Sequence, residues 1–144
     1  MTKVTFINHS SLLIENENCL ILTDPWYSKP AFGSWLPSPP SLYHPVYLLS
    51  LAHSNKENFV LLISHGHDDH CDDDYLKLFP SEIKVVIPKF SSPGVRKRVE
   101  RAGLKNIIEI EDQTTVNNVD FNSFIYKDVS HDDAVLTIKT NDSY

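Results

Sequence analysis

The chain has 144 residues, 41% of them hydrophobic, and a formal charge of −6 at pH 7, which is ample for a single domain over residues 1–144 with its own core. The acidic balance argues against nucleic acid as a partner, because that binding depends on a basic footprint that neutralises phosphates. No apolar stretch approaches membrane-spanning length and no basic start precedes an apolar run, so neither a membrane partner nor a secretion signal is expected.

Residues 4–7, 11–14 and 19–23 read as short strands of an opening meander, the last two joined through Glu15-Asn16-Glu17-Asn18, which is good turn chemistry. An irregular stretch over residues 26–45 follows. Pro30, Pro37, Pro39, Pro40 and Pro45 break any regular ladder there, and Trp26, Tyr27, Phe32, Trp35 and Tyr43 supply aromatic bulk. A loop this long in a compact domain is either functional or disordered. A short helix is expected over residues 46–53 and a buried strand over 59–64. Asp72 or Asp73 can cap a helix that carries Tyr75, Leu76, Leu78 and Phe79 inward, and 84–88 reads as a second buried strand. Ser92-Pro93 starts a helix with Pro at its first position; Val95, Val99 and Ala102 line one face and Gly103 ends it. That leaves Arg96, Lys97, Arg98 and Arg101 as a solvated face. Residues 107–110, 114–116, 119–126 and 134–140 are expected strands, the middle pair hinged at Asn117-Asn118.

Strand 59–64 ends in His65-Gly66-His67-Asp68-Asp69-His70. Side chains two apart on an extended backbone point the same way, so His65 and His67 can grip one metal ion. The continuation turns Asp69 and His70 toward a neighbouring position, which suits a second ion. Nitrogen plus carboxylate ligation favours Zn2+, with Fe or Mn as alternatives. The competing reading is a solvated acidic loop, since Asp68, Asp69, Asp72, Asp73 and Asp74 crowd this stretch. A calcium EF-hand needs a central Gly and a closing Glu in register with alternating oxygen ligands, and neither is present. Cys19 and Cys71 lie in no paired ligand motif, so no disulfide framework is expected and a reducing cytoplasm is the natural compartment. Cys71 reads as a small buried thiol rather than an outer ligand.

The order His-x-His-x-Asp-His after a buried strand resembles the signature of the metallo-β-lactamase superfamily of binuclear metal hydrolases. The opening Thr5-Phe6-Ile7-Asn8-His9-Ser10-Ser11-Leu12-Leu13-Ile14-Glu15 and the later Thr23-Asp24-Pro25-Trp26 are similar to segments of the same superfamily. They are most like the branch with ascorbate-phosphate lactonase-type hydrolases and the metallo-hydrolase domain of CMP-sialic-acid hydroxylase-like proteins. The resemblance implies an α/β fold, the αββα sandwich, apparently lacking its C-terminal part, since that fold usually takes about 200 residues or more. It also implies that His131, in Val129-Ser130-His131-Asp132-Asp133, supplies the third imidazole of the first metal, against a surface-loop histidine. Asp132 and Asp133 depart from the small residues and Gly that often follow that His in the superfamily.

His9 is expected to border the site or to be satisfied in the core, and Trp26 lies near the pocket. Asp24 either accepts a hydrogen bond from a ligand imidazole or simply turns the chain before Pro25. His44 and His53 carry no pattern. The implied function is hydrolysis of an ester, lactone or phosphoester small molecule by metal-activated water, with Asp69 orienting the nucleophile or handling its proton. The rivals are a di-iron redox or oxygenase-associated domain of the same fold and a non-catalytic metal-binding module. A partial hydrolase, weakly active alone and open to homo-oligomerisation at an unpaired strand edge, is the expectation for this length.

Overall fold

The computed structural model describes residues 1–125 and 134–140. The chain opens with strands β1 (Lys3–Asn8), β2 (Ser11–Glu15) and β3 (Leu20–Thr23). β1 and β2 form a hairpin in which Asn8 faces Ser11, so His9 and Ser10 occupy the turn. Between β2 and β3, the Asn16 Oδ1 accepts the N–H groups of Asn18 and Cys19, each at 2.8 Å, the side chain standing in for a backbone turn.

Then come helix α1 (Pro45–Ser54), strand β4 (Phe59–Leu62), the single turn α2 (Asp73–Leu76), strand β5 (Lys84–Pro88), helix α3 (Gly94–Arg101) and strand β6 (Asn106–Ile110). β3, β4, β5 and β6 pair in parallel, completing a six-stranded sheet in the order β1-β2-β3-β4-β5-β6. Parallel neighbours cannot be joined by a tight turn, and the three helices are the crossovers that this pairing demands. Strands β7 (Gln113–Val116), β8 (Val119–Ile125) and β9 (Ala134–Thr140) form a separate antiparallel sheet. Asn117 and Asn118, at φ 50° and 58°, make the β7–β8 turn, the pair of left-handed residues that a two-residue hairpin with matching twist requires.

Alternation along the central strands divides the core in two. Phe59, Leu61 and Ile63 face one cluster with Leu48 and Ala52 of α1, Tyr75 and Leu76 of α2, and Val95 and Val99 of α3. Val60 and Leu62 face the other, where Val86 and Ile110 meet Val116, Val119 and Phe121 of the second sheet. The described residues therefore stack as helices, sheet, sheet. These are three of the four layers of the αββα sandwich, with every helix on one face of the larger sheet. Among the described residues no helix is long and apolar enough to cross a membrane.

Several local expectations shift. The regular ladder of β4 stops at Leu62, although Ile63 N–H still reaches Val86 O at 3.0 Å. Leu78, expected inward, is exposed, because α2 closes after one turn, while Phe79 reaches the core as expected. Pro93 stands at the cap position before α3 rather than inside it. Arg98 departs from the solvated face altogether. Its side chain is 16% exposed and lies against the loop that follows β4.

Candidate metal centre

Three chain segments meet above the carboxyl ends of β3 and β4, where open α/β sheets characteristically bind ligands. The β1–β2 turn brings His9 and Ser10, with His9 at φ 43°. The end of β3 brings Asp24, whose N–H extends the ladder to Leu62 O at 2.9 Å. The end of β4 brings Ser64 and the loop from His65 to His70. Thr23 pins the first to the second: its hydroxyl donates to Ser10 O at 3.0 Å and accepts the Leu12 N–H at 2.8 Å.

Asp24 sets which nitrogen carries the proton in two imidazoles around it. Its Oδ1 accepts the Ser64 N–H at 2.7 Å, and its Oδ2 accepts the Ser64 hydroxyl at 2.6 Å. With that hydroxyl proton committed, Ser64 Oγ is the acceptor for His65 Nδ1–H at 2.9 Å, which leaves the lone pair of His65 on Nε2. Asp24 Oδ2 also takes the His70 Nδ1–H at 2.9 Å, so the His70 lone pair is likewise on Nε2. A carboxylate behind an imidazole in this way fixes ring orientation and raises ligand basicity. Asp24 both turns the chain, at φ 37°, and holds these contacts.

The outer nitrogens converge. His65 Nε2 and His67 Nδ1 are 3.0 Å apart, close to the spacing of two nitrogens bound to one zinc at about 2.0–2.1 Å in a tetrahedral arrangement. Beside them the rings of His65 and His70 stand 4.0 Å apart. His70 Nε2 lies 3.5 Å from Asp69 Oδ2, and His9 Nε2 lies 2.9 Å from that same oxygen. Ligand atoms of His9, Asp69 and His70 all fall within 4.8 Å of one another.

Asp69 supplies the test of whether a cation fits. The residue is 6% exposed, and its Oδ1 is buried with no hydrogen-bond partner among the described residues. An unpaired buried carboxylate oxygen is costly, and a cation beside it offsets that cost. The donor set of two imidazoles and a carboxylate is that of zinc, iron and manganese sites. The residues present fit a divalent ion.

The acidic stretch is not simply solvated. Asp72 is 1% exposed; it caps α2 through the Tyr75 N–H at 3.1 Å and accepts the N–H groups of Tyr27 and Ser28 at 2.8 and 2.6 Å, together with the Ser28 hydroxyl. This ties the aromatic loop to the histidine loop. Trp26, 2% exposed, packs edge-on against His9 with ring centres 5.4 Å apart and so backs that residue. Phe32 and Trp35 stand out instead, more than half exposed, with Phe32 edge-on to His67 at 5.9 Å. Burial pushes the Cys71 thiol up to about 12. His44 caps α1 and His53 reaches Leu78 O, both away from the centre. His131 lies outside the described residues. Ser10, Ser64 and Arg98 were missed in the sequence; Ser64, between a buried strand and the first histidine, carried the one local signal.

Residues 3–138 match the model of the β-lactamase superfamily domain, and the chain belongs to that family, with the metallo-β-lactamase fold. A Mycolicibacterium smegmatis protein, provisionally described as a Rieske 2Fe-2S iron-sulfur protein, is 32% identical over 111 residues, covering 76% of this chain and 20% of that protein. A Veillonella parvula protein, provisionally described as a metal-dependent hydrolase, superposes with a TM-score of 0.67 at 17% identity, over 85% of this chain and 47% of its own. CmlA, a diiron β-hydroxylase from Streptomyces venezuelae, superposes with a TM-score of 0.69 at 16% identity, over 97% of this chain and 28% of its own. The chain thus spans about a fifth of the curated relative and under half of either solved structure. At these identities the two structures speak for the fold alone.

Proposed function

We propose that the chain carries the metal centre of a metal-dependent hydrolase acting on an ester, lactone or phosphoester of a small molecule. The observation behind this reading is the buried carboxylate of Asp69, whose Oδ2 meets His9 and His70 while its Oδ1 has no partner among the described residues. His65 Nε2 and His67 Nδ1 would hold one ion, with His131 as a third donor; Asp69, His70 and His9 would hold a second. Zinc, iron or manganese held there would supply a water of lowered pKa and a positive charge for the substrate oxygen.

The remaining steps fall to the chain itself. Asp24 keeps the His70 proton on Nδ1 and, through Ser64, the His65 proton on Nδ1, so both rings present Nε2 outward. Asp69 orients the attacking water and takes its proton as the new bond to carbon or phosphorus forms, and that proton passes to the leaving oxygen as the ester, lactone or phosphoester bond breaks. Phe32, beside His67, and Trp35, against Phe32, offer flat apolar surface on which a sugar, nucleotide or lactone ring can stack.

Protein purified without chelator should carry zinc, iron or manganese, and added metal should raise its Tm, since a ligand of the native state stabilises it. Hydrolysis of lactone, phosphodiester or thioester probes should disappear with His67→Ala. A chain that binds none of these metals, and whose Tm ignores them, overturns the reading. A second reading replaces hydrolysis by redox work beside an iron-sulfur unit, and the 32% identity to a relative described as a Rieske protein favours it. Colourless, tightly held zinc supports the hydrolase. Bound iron whose visible absorption responds to a reductant supports the redox domain.

A further inference from the structure

We propose that Arg98 is a positioning residue that holds the histidine loop in its ligand-presenting shape, an inference that rests on the metal-centre reading above. Arg98 sits on α3, and its guanidinium brackets the loop at both ends. Nη1 donates to Gly66 O, between His65 and His67. Nη2 donates to Cys71 O at 2.6 Å, immediately after His70. The same group reaches the Asp68 carboxylate at 3.1 Å and, through Nε, the Asp73 carboxylate at 2.8 Å. Between the bracketed carbonyls the loop makes a turn of its own, with the His70 and Cys71 N–H groups donating to His67 O at 3.0 and 2.8 Å.

The support is rigid because its base is core. Val95, one turn before Arg98, and Val99, next to it in the chain, are buried in the helix-side cluster. A methyl group at Gly66 would come within 3.3 Å of Val95 Cγ2, so the absence of a side chain there lets α3 approach the loop backbone closely. Charge and shape both select arginine. Carbonyls at two ends of a loop and two carboxylates lie in different directions around one planar group, a set that a guanidinium fork can meet together and a point-charge ammonium cannot. A mis-set Gly66 carbonyl would rotate the peptide plane that carries His67, a mis-set Cys71 carbonyl would shift the end of the loop after His70, and ligand positions must hold within about half an ångström for tight metal binding.

The test compares wild type with Arg98→Met, which keeps the apolar stem, Arg98→Lys, which keeps the charge, and the exposed control Arg101→Met. In the metal-free chain, hydrogen exchange at the amides of residues 67–71 should quicken about tenfold or more in Arg98→Met while the β4 and β5 amides hold their rates. Chelator competition should show zinc and manganese held about 10–100-fold more weakly, the usual loss when a group supporting a ligand is removed. Arg98→Lys should recover only part of either effect, and Arg101→Met should match wild type. The proposal is overturned if loop exchange is unchanged, or rises only in step with β4 and β5 as general destabilisation would have it. Unchanged metal affinity with a loosened loop overturns it equally. Should wild type itself bind no metal, the hydrolase reading falls, and the exchange result still decides whether Arg98 orders the loop.

Discussion

Asp24 shows how one side chain can satisfy two readings at once. A strand-ending Asp before Pro25 is an ordinary turn former, and at φ 37° Asp24 does turn the chain. The same carboxylate is 5% exposed and accepts from Ser64 N, Ser64 Oγ and His70 Nδ1. Removing it leaves those donors without their acceptor and places a Cβ-bearing residue in left-handed backbone with no compensation. Asp24→Ala is therefore expected to cost about 3 kcal/mol in urea unfolding, combining lost hydrogen bonds to a charged group with left-handed strain. Asp24→Asn tolerates the turn and keeps an acceptor, so it should lose less than half as much. An Ala variant within about 0.5 kcal/mol of wild type would show that the carboxylate contributes nothing net.

Among the elements, β4 governs both stability and site. It lies inside the six-stranded sheet between β3 and β5, and its side chains feed both core clusters. Leu61 has no exposed surface, and truncation there removes contacts from a close-packed layer under the helices. Leu61→Ala should cost about 2–5 kcal/mol, the range for buried leucines. Val135 on β9 is 66% exposed, and Val135→Ala should change unfolding by about 0.5 kcal/mol or less. Equal losses at the two positions would mean that β4 is not the buried centre of the fold. The strands were legible because period-two alternation and continuous apolar runs are local patterns. The burial of Asp72 was not, because it comes with the N–H groups of Tyr27 and Ser28, contacts remote in sequence.

At the scale of the whole molecule, stability should fall on the alkaline side. Cys19 sits between the two sheets, and burial pushes its thiol from 9.0 up to about 11. An acid whose folded pKa is raised keeps its proton in the native state while the unfolded chain sheds it. Its contribution is therefore complete below about pH 9 and is lost as pH rises to about 11. Tyr75 is shifted upward by burial as well and acts in the same direction. Thermal unfolding from pH 8 to 11 should show a declining Tm, with a shallower decline in Cys19→Ala. Parallel curves for the two proteins would place the alkaline loss elsewhere.

The sequence by itself determined the strand-and-helix order, a helix start at Asp72 or Asp73, the helix stop at Gly103, the Asn117-Asn118 hairpin and the cluster of metal-binding residue types after β4. All of these depend on neighbours within a few residues, where periodicity, φ preference and ligand chemistry act directly. Only the tertiary structure decided that His9 meets Asp69, that Asp24 serves His65 through Ser64 and His70 directly, and that Arg98 turns inward to the loop carbonyls. Those pairs lie 60, 40, 46 and 32 residues apart for His9–Asp69, Asp24–Ser64, Asp24–His70 and Arg98–Gly66. Their meeting depends on parallel strand register and on how closely α3 packs against Gly66, neither of which any short window of residues contains.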